Sequence, residues 1–257
     1  MSDKPLSYST YLRLDELLAQ QQPLSQEHDE HLFIVIHQVY ELWFKQVLHE
    51  LYALRAAFLA GETARAQGAL KRVLTILKTL VGQVDILETM TPLSFNAFRA
   101  RLDASSGFQS AQFREIEFLL GHRRAAVAAQ HPRQGRLSAL LTEPGIYDAF
   151  LRYLATLGHA VPADALQRDL SAAPAAHAAV QELLVEVYRK GEFAAQVCEL
   201  LVDLDEGLQE WRYRHVKMVE RTIGMKPGTG GSSGAEYLRR TLFQPLFPDL
   251  WEIRSRL

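Results

Sequence analysis

Two histidines lie on the apolar faces of long helical segments and are candidates for chemistry. His215 follows Leu204, Leu208 and Trp211 on one face of residues 193–223, and Arg212 is expected to lie largely off that face. A lone histidine there is usually a core residue whose nitrogens bond to backbone carbonyls. It can also be an axial metal ligand, because burial favours the neutral imidazole that binds a metal. Haem suits a single histidine, and without a CxxCH motif the haem would be held non-covalently.

The second histidine belongs to an aromatic stripe. Phe33, His37, Tyr40 and Phe44 recur at helical spacing, so they share one face of a helix. Such a stripe is more often part of a core than of a binding site. The alternative is a flat apolar slot with one polar contact, which suits an aromatic ligand.

A third candidate is an arginine on a mostly apolar stripe. Thr91 and Pro92 mark a helix start, after which Phe95 and Arg99 share a face. A guanidinium in such a place is costly unless it is paired. It either forms a structural salt bridge or binds a carboxylate through two hydrogen bonds.

A glycine-dense segment follows the His215 helix. Five of the fifteen glycines fall between Gly224 and Gly234. The segment lacks the Gly-Lys-Ser/Thr ending of a phosphate-binding loop and follows a helix rather than a strand, which excludes that motif. A flexible loop around a small polar or anionic group remains, with Thr229 among its hydroxyls.

Helices must position all of these residues. Apolar residues recur at helical period through residues 32–60, 66–91, 111–128, 146–157, 176–190 and 193–223, and no alternating pattern predicts a sheet. The Ala-rich residues 160–180 are the least specified part: a short helix pair or a mobile excursion. We therefore predict an all-α fold, a single domain over residues 1–257 built as a bundle of long antiparallel helices.

Composition excludes several classes of protein. A formal net charge of −2 argues against nucleic-acid binding, and Cys198 is the single cysteine, so no internal disulfide can form. No apolar run is long enough for a membrane span, and the N-terminus has no secretory signal. We expect a cytoplasmic protein.

Taken together, several separated motifs resemble the tryptophan 2,3-dioxygenase family, whose members open the indole ring with haem and O₂. The motifs run in order along the chain: YSTYLRL at 8–14, HDEHLFIVIHQ at 28–38, ELWFK at 41–45, LETMTP at 87–92, SGFQS at 106–110, WRYRH at 211–215, GTGGSSG at 228–234 and FPDLW at 247–251.

The resemblance assigns roles residue by residue. It implies that His215 is the axial ligand of a b-type haem, one per subunit, and that Ser106 and Gly107 line the pocket beside it. His37 would be the candidate catalytic residue, which orients the indole N–H rather than acting as an indispensable base. The substrate-binding set that it implies consists of Phe33, His37, Phe95, Arg99, Thr229, Tyr8, Tyr11 and Leu12.

Two of these assignments need more detail. Phe95 stands where some family members have a tyrosine whose hydroxyl meets the substrate carboxylate, so here Arg99 and the Thr229 loop would hold that group. Tyr8, Tyr11 and Leu12 belong to residues 1–25, which the resemblance predicts to reach into a neighbouring subunit of a homotetramer.

The implied reaction inserts both atoms of O₂ into L-tryptophan at ferrous haem and yields N-formylkynurenine, a step of tryptophan catabolism by the kynurenine pathway. Two alternatives stay open. One is a haem-dependent mono- or dioxygenase of a substituted tryptophan in secondary metabolism. The other is a haem sensor or carrier, which would keep His215 but would not need Phe33, Arg99 and Thr229 together.

Overall fold

The computed structural model describes residues 6–103, 105, 107–131, 134–228 and 234–257. Over these residues the secondary structure consists of fourteen α-helices and two short 3-10 turns, Gly107–Gln109 and Ile253–Arg256, with no strand. The prediction of an all-α fold is confirmed. The helices are α1 (Tyr8–Leu12), α2 (Leu14–Leu18), α3 (His28–Leu59), α4 (Thr63–Leu87), α5 (Pro92–Arg99), α6 (Ala111–Leu119), α7 (Ala125–Gln130), α8 (Gln134–Leu140), α9 (Ile146–Thr156), α10 (Ala163–Leu166), α11 (Ala178–Lys190), α12 (Phe193–Ile223), α13 (Ala235–Arg239) and α14 (Pro248–Glu252).

The three longest helices, α3, α4 and α12, lie side by side. Residues 60–62 join α3 to α4 in a tight turn, and contacts of Tyr40 with Leu80 and of Arg72 with Glu50 show that these two helices are antiparallel. Helix α12 instead runs parallel to α4, because Gln196 contacts Gln67 near both N-terminal ends. Near both C-terminal ends, Arg214 pairs with Asp85. The antiparallel arrangement predicted for the bundle therefore holds for α3 and α4 but not for α4 and α12.

The helix predicted over residues 111–128 is divided in the structure. Helix α6 ends at Leu119, and α7 begins at Ala125. Gly121 lies between them at φ +104°, a backbone conformation that an L side chain rarely adopts. An added Cβ there would also lie 2.8 Å from Pro174 Cδ. Apolar periodicity continues across the break, so the pattern alone could not reveal it.

The Ala-rich residues 160–180 contain one short helix, α10, followed by turns up to the start of α11. Ala165 of α10 is buried in the main core. Arg168 beyond it donates to the buried carboxylate of Asp148 on α9. These contacts hold the segment against the bundle, so neither the predicted helix pair nor the mobile excursion describes it.

The apolar side chains form two clusters. The larger one fills the space between α3, α4, α6, α9, α11 and α12. The smaller one consists of Ile36, Leu87, Met90, Phe95 and Phe98, and Phe33 packs against it. The smaller cluster forms one wall of the cavity described below. None of the helices in the described part of the chain is long and apolar enough to cross a membrane.

Candidate active site

A cavity of about 250 Å³ lies between α3, α5, α6 and α12 and extends to α13. Its lining is mostly aromatic and aliphatic. The cavity brings together six of the residues predicted for the site from four separate parts of the sequence: Phe33, His37, Phe95, Arg99, Gly107 and His215.

His37 presents one defined nitrogen to this cavity. Its Nδ1 lies 2.7 Å from the carbonyl oxygen of Phe33, one turn earlier on α3. Because a carbonyl only accepts hydrogen bonds, Nδ1 carries the ring proton and Nε2 keeps its lone pair. Burial lowers the pKa of His37, although the Phe33 carbonyl and the charge of Glu41 act in the opposite direction. The neutral ring can therefore accept a hydrogen bond from an N–H group of a ligand.

His215 lines the cavity from α12. Burial lowers its pKa to about 4, with smaller contributions from His37 and Arg114, so the ring is neutral at neutral pH. The ring stacks on Trp211, with centroids 5.2 Å apart and planes 7° from parallel. Within the described residues His215 has no hydrogen-bond partner. It is therefore not the core histidine satisfied by backbone carbonyls, and its lone pair is available to a metal.

Aromatic rings surround the approach to His37. The Phe33 ring lies 4.1 Å from the His37 ring between centroids, and Phe95 and Phe98 lie 5.8 and 5.6 Å from Phe33. Thr91 caps the start of α5 by accepting from the backbone N–H of Ser94, which fixes the helix that carries Phe95. These tilted rings form an apolar aromatic surface beside a hydrogen-bond acceptor.

Arg99 reaches the rim of the cavity from the last turn of α5. Its Nη2 donates to the carbonyl oxygen of Pro227 at 2.6 Å, just before the glycine-rich loop. Gly228 and Gly234, on either side of that loop, line the same cavity. Arg99 is therefore held by a backbone carbonyl rather than by a carboxylate, and its other N–H groups can bind an anionic ligand.

A group of four charged residues, here called the basic wall, closes another side of the cavity. It consists of Arg114 and Glu117 on α6, Arg124, and Arg212 on α12. Glu117 is 2% exposed and pairs with all three arginines, at 3.1 Å from Arg212 and 3.3 Å from Arg124. The wall itself holds three guanidiniums and one carboxylate. Arg114, Glu117 and Arg212 line the cavity, as does Glu41 on α3.

The position of Arg212 corrects the sequence prediction. It was expected off the apolar face of its helix, but it is only 4% exposed and lines the cavity. The helical period shows that a charged residue lies beside the apolar stripe of its own helix. It does not show that a second helix packs against that residue and supplies a carboxylate. Glu117 on α6 forms an ion pair with Arg212, which offsets much of the free-energy cost of burying the guanidinium.

Comparisons with known proteins show the family of this chain. The family model described as tryptophan 2,3-dioxygenase matches residues 1–135 and 163–257. The chain is 59% identical to the tryptophan 2,3-dioxygenase of Anaeromyxobacter sp. (strain K), over 98% of this chain and 96% of that protein. The enzyme of the same name from Herpetosiphon aurantiacus is 57% identical, with 98% of each chain covered. The similar protein from Bordetella pertussis is 48% identical over 99% of this chain and 92% of its own length.

The chain belongs to the tryptophan 2,3-dioxygenase family. The resemblance first noted in short motifs therefore extends over nearly the whole sequence. The cavity of this tryptophan 2,3-dioxygenase family member contains six of the described residues that the resemblance singled out.

Five further predicted residues are either outside the described part of the chain or away from this cavity. Thr229 and Ser106 lie outside the described residues, although their neighbours Gly228, Ser105 and Gly107 line the cavity. Tyr8 and Tyr11 on α1 are 76% and 72% exposed, and neither they nor Leu12 reach the cavity of their own chain. Their predicted role in a neighbouring subunit stays a prediction.

Sequence reasoning missed the basic wall. Arg114 and Glu117 are three residues apart within a segment of helical period, which is typical of a solvated surface pair. The sequence did contain one signal. Within residues 111–128, large apolar side chains stand on both sides of these two charged residues. That pattern could have indicated a buried ion pair, but not its partners Arg124 and Arg212.

Proposed function

We propose that this chain is a haem-dependent dioxygenase that cleaves the indole C2–C3 bond of L-tryptophan. Both atoms of O₂ are inserted, one carbonyl forms at each carbon of the broken bond, and the product is N-formylkynurenine. The observation that carries this proposal is the cavity itself. In one space it combines a neutral histidine with no described partner, an aromatic slot with a defined acceptor, and an arginine at the rim.

The residues of the cavity fit a haem. His215 offers a neutral imidazole whose nitrogens have no hydrogen-bond partner among the described residues. The apolar lining suits a macrocycle, and the basic wall suits its carboxylates. His215 would bind the haem iron, and Arg114 and Arg212 would bind the haem carboxylates. When bound, the haem supplies redox-active iron for the reaction with O₂.

The protein's own residues would orient the substrate and exclude water. The indole N–H donates to Nε2 of His37, and the ring packs on Phe33. At the rim, Arg99 binds the substrate carboxylate, and because Phe95 has no hydroxyl, it adds no hydrogen bond to that group. Such positioning is worth several orders of magnitude in rate when the reacting atoms are held at bonding approach.

The decisive experiment is a turnover assay on the haem-loaded, reduced protein. With L-tryptophan and O₂ we expect the near-ultraviolet absorbance of N-formylkynurenine, and mass spectrometry with labelled O₂ should find two incorporated atoms. Tryptamine, which lacks the carboxylate, is the matched control and should react poorly. One incorporated atom would favour a monooxygenase, and no product from L-tryptophan would overturn the proposal.

Two variants separate haem binding from substrate binding. His215→Ala should abolish the Soret band of a stably bound haem, whereas Arg99→Ala should keep that band and weaken the spectral change on adding L-tryptophan. A normal Soret band in His215→Ala would show that the axial ligand has been assigned wrongly. Loss of haem in Arg99→Ala would show that Arg99 serves the cofactor rather than the substrate.

We also propose that the protein is a homotetramer in which α1 of one subunit approaches the cavity of another. The high exposure of the aromatic rings of Tyr8 and Tyr11 on α1 supports this proposal, because such rings on a monomer surface mark an interaction site. Light scattering should give four times the mass of one chain. Tyr11→Ser should raise KM for L-tryptophan without changing the Soret band. A monomeric active enzyme would refute the proposal.

A further inference from the structure

His122, in the connection between α6 and α7, contacts the basic wall from outside the cavity. Its Nδ1 lies 2.9 Å from Nη2 of Arg212. A guanidinium can only donate, so Nδ1 accepts this hydrogen bond and the ring proton resides on Nε2. The hydrogen bond with Arg212 therefore selects one tautomer of His122.

The surroundings of His122 keep it neutral. Burial lowers its pKa to about 4, and the charges of Arg212 and Arg124 act in the same direction, while Glu117 opposes them. The ring contacts Arg212 on α12, and the backbone of Pro245 acts on its pKa in the same direction as Glu117. At neutral pH it is therefore an acceptor, and it adds no positive charge to the wall.

Arg212 is fixed by three acceptors from three segments. Its Nη1 donates to the carbonyl oxygen of Thr241 at 3.2 Å, and its Nη2 donates to Glu117 at 3.1 Å and to His122. The two contacts at Nη2 come from different sides, one from α6 and one from the connection that follows it. Without His122, the guanidinium would be free to turn further toward Glu117, which would reduce the positive charge available at the cavity surface.

We propose that His122 is a positioning residue: its neutral ring holds Arg212 so that the basic wall can bind the carboxylates of the cofactor. This inference rests on the proposed function, since it concerns the acidic edge of the haem. His122 touches neither haem nor substrate. It acts through Arg212, and what it controls is how strongly the cavity distinguishes a carboxylate from a neutral group.

The test uses two cofactors that differ in charge and only slightly in size. The apoprotein is titrated with ferric haem and with ferric haem dimethyl ester, and each Kd is measured from the Soret band. The ratio of the two Kd values reports recognition of the carboxylates. We expect the wild type to prefer haem, and His122→Phe to lose about ten-fold of that preference, since one charge-assisted hydrogen bond to Arg212 is removed.

The matched control is His122→Asn. The asparagine carbonyl can take the place of Nδ1 and accept from Arg212, whereas phenylalanine has no acceptor. We therefore expect His122→Asn to keep the wild-type ratio within about two-fold. His122→Ala serves as a second acceptor-free variant if phenylalanine is not accommodated, and circular dichroism checks that each variant is folded.

Each outcome is decisive. An unchanged ratio in His122→Phe or His122→Ala would overturn the inference, and so would equal weakening of both cofactors, which is what a merely structural role predicts. Loss of preference in His122→Asn would show that the acceptor is not what matters. A wild type that binds haem and its ester equally would refute the inference while leaving the proposed function intact. Absence of a Soret shift with both cofactors would overturn the proposed function as well.

Discussion

Replacing Glu117 by glutamine tests how the buried charges of the cavity are balanced. The substitution keeps the size of the side chain and an oxygen that can accept, but it removes the negative charge shared by Arg114, Arg124 and Arg212. Arg212 and Arg114 are 4% and 5% exposed, so water has little access to solvate the guanidiniums that lose their anionic partner. The apoprotein of Glu117→Gln should therefore be less stable than the wild type.

The magnitude follows from the burial of the partners. Removing one member of a buried ion pair costs about 3–5 kcal/mol. The lower end applies here, because the glutamine oxygen still accepts and the Arg124 side chain is 37% exposed. We therefore expect a loss of about 3 kcal/mol in the free energy of unfolding. In a chain of this length that loss corresponds to a fall of about 6–12 °C in Tm.

Urea unfolding of the apoprotein, followed by circular dichroism, measures this loss. Glu236→Gln is the matched control, because it breaks an exposed helical pair with Arg240 and should cost less than about 0.5 kcal/mol. If Glu117→Gln were no more destabilising than Glu236→Gln, water would be solvating the arginines of the basic wall. That result would refute the claim that they need the Glu117 carboxylate for stability.

A second measurement connects this charge balance to the cofactor. Haem brings carboxylates of its own, so it should raise the Tm of Glu117→Gln by more than that of the wild type, because it replaces the missing negative charge. An equal rise in both proteins would refute the assignment of the acidic edge of the haem to the basic wall. It would leave the predicted loss of stability in the apoprotein untouched.

Three further predictions concern single residues. Arg99→Lys should raise KM for L-tryptophan about 10–100-fold with a smaller change in kcat, because lysine cannot bind a carboxylate through two hydrogen bonds; an equal loss of kcat/KM with tryptamine would contradict this role. Phe95→Tyr should lower KM for L-tryptophan about 3–10-fold by adding one hydrogen bond to the carboxylate, and an unchanged ratio of L-tryptophan to tryptamine activity would argue against it. The stability of the apoprotein should fall as the pH drops from about 6.5 toward 4, because the unfolded chain protonates His122 near its ordinary pKa while the folded protein, with a pKa of about 4, does not. The contribution of His122 to the free energy of unfolding reaches about 3 kcal/mol. Urea unfolding at several pH values should show that this free energy depends less steeply on pH in His122→Asn than in the wild type. The same pH dependence in both proteins would exclude a lowered pKa of His122 as the cause.

The helices that carry the site were largely predictable from the sequence. Apolar residues at helical period located α12 at residues 193–223, and they located α3 and α4 to within a few residues. The same stripes placed His37 among aromatic rings and His215 on the apolar face of its helix. These features are local, because a helix buries whichever face its own side chains make apolar.

The spacing of residues left the role of each candidate open. The pattern by itself favoured a satisfied core histidine for His215 and a structural salt bridge for Arg99. The structure argues against both of these roles. Within the described residues, His215 has no hydrogen-bond partner, and Arg99 donates to a backbone carbonyl rather than to a carboxylate. The family comparison, and not the helical pattern, supplies the reaction.

What the sequence alone determined is therefore the all-α architecture, the helices that line the site and, through motifs in the right order, the family. Tertiary structure alone decided that Arg212 is buried, that Gly121 breaks a continuous apolar pattern, and that one carboxylate serves three arginines. The physical reason is the range of the interactions. Apolar periodicity shows which face of each helix is buried. The free-energy cost of a buried charge depends instead on partners that other helices supply from distant parts of the chain.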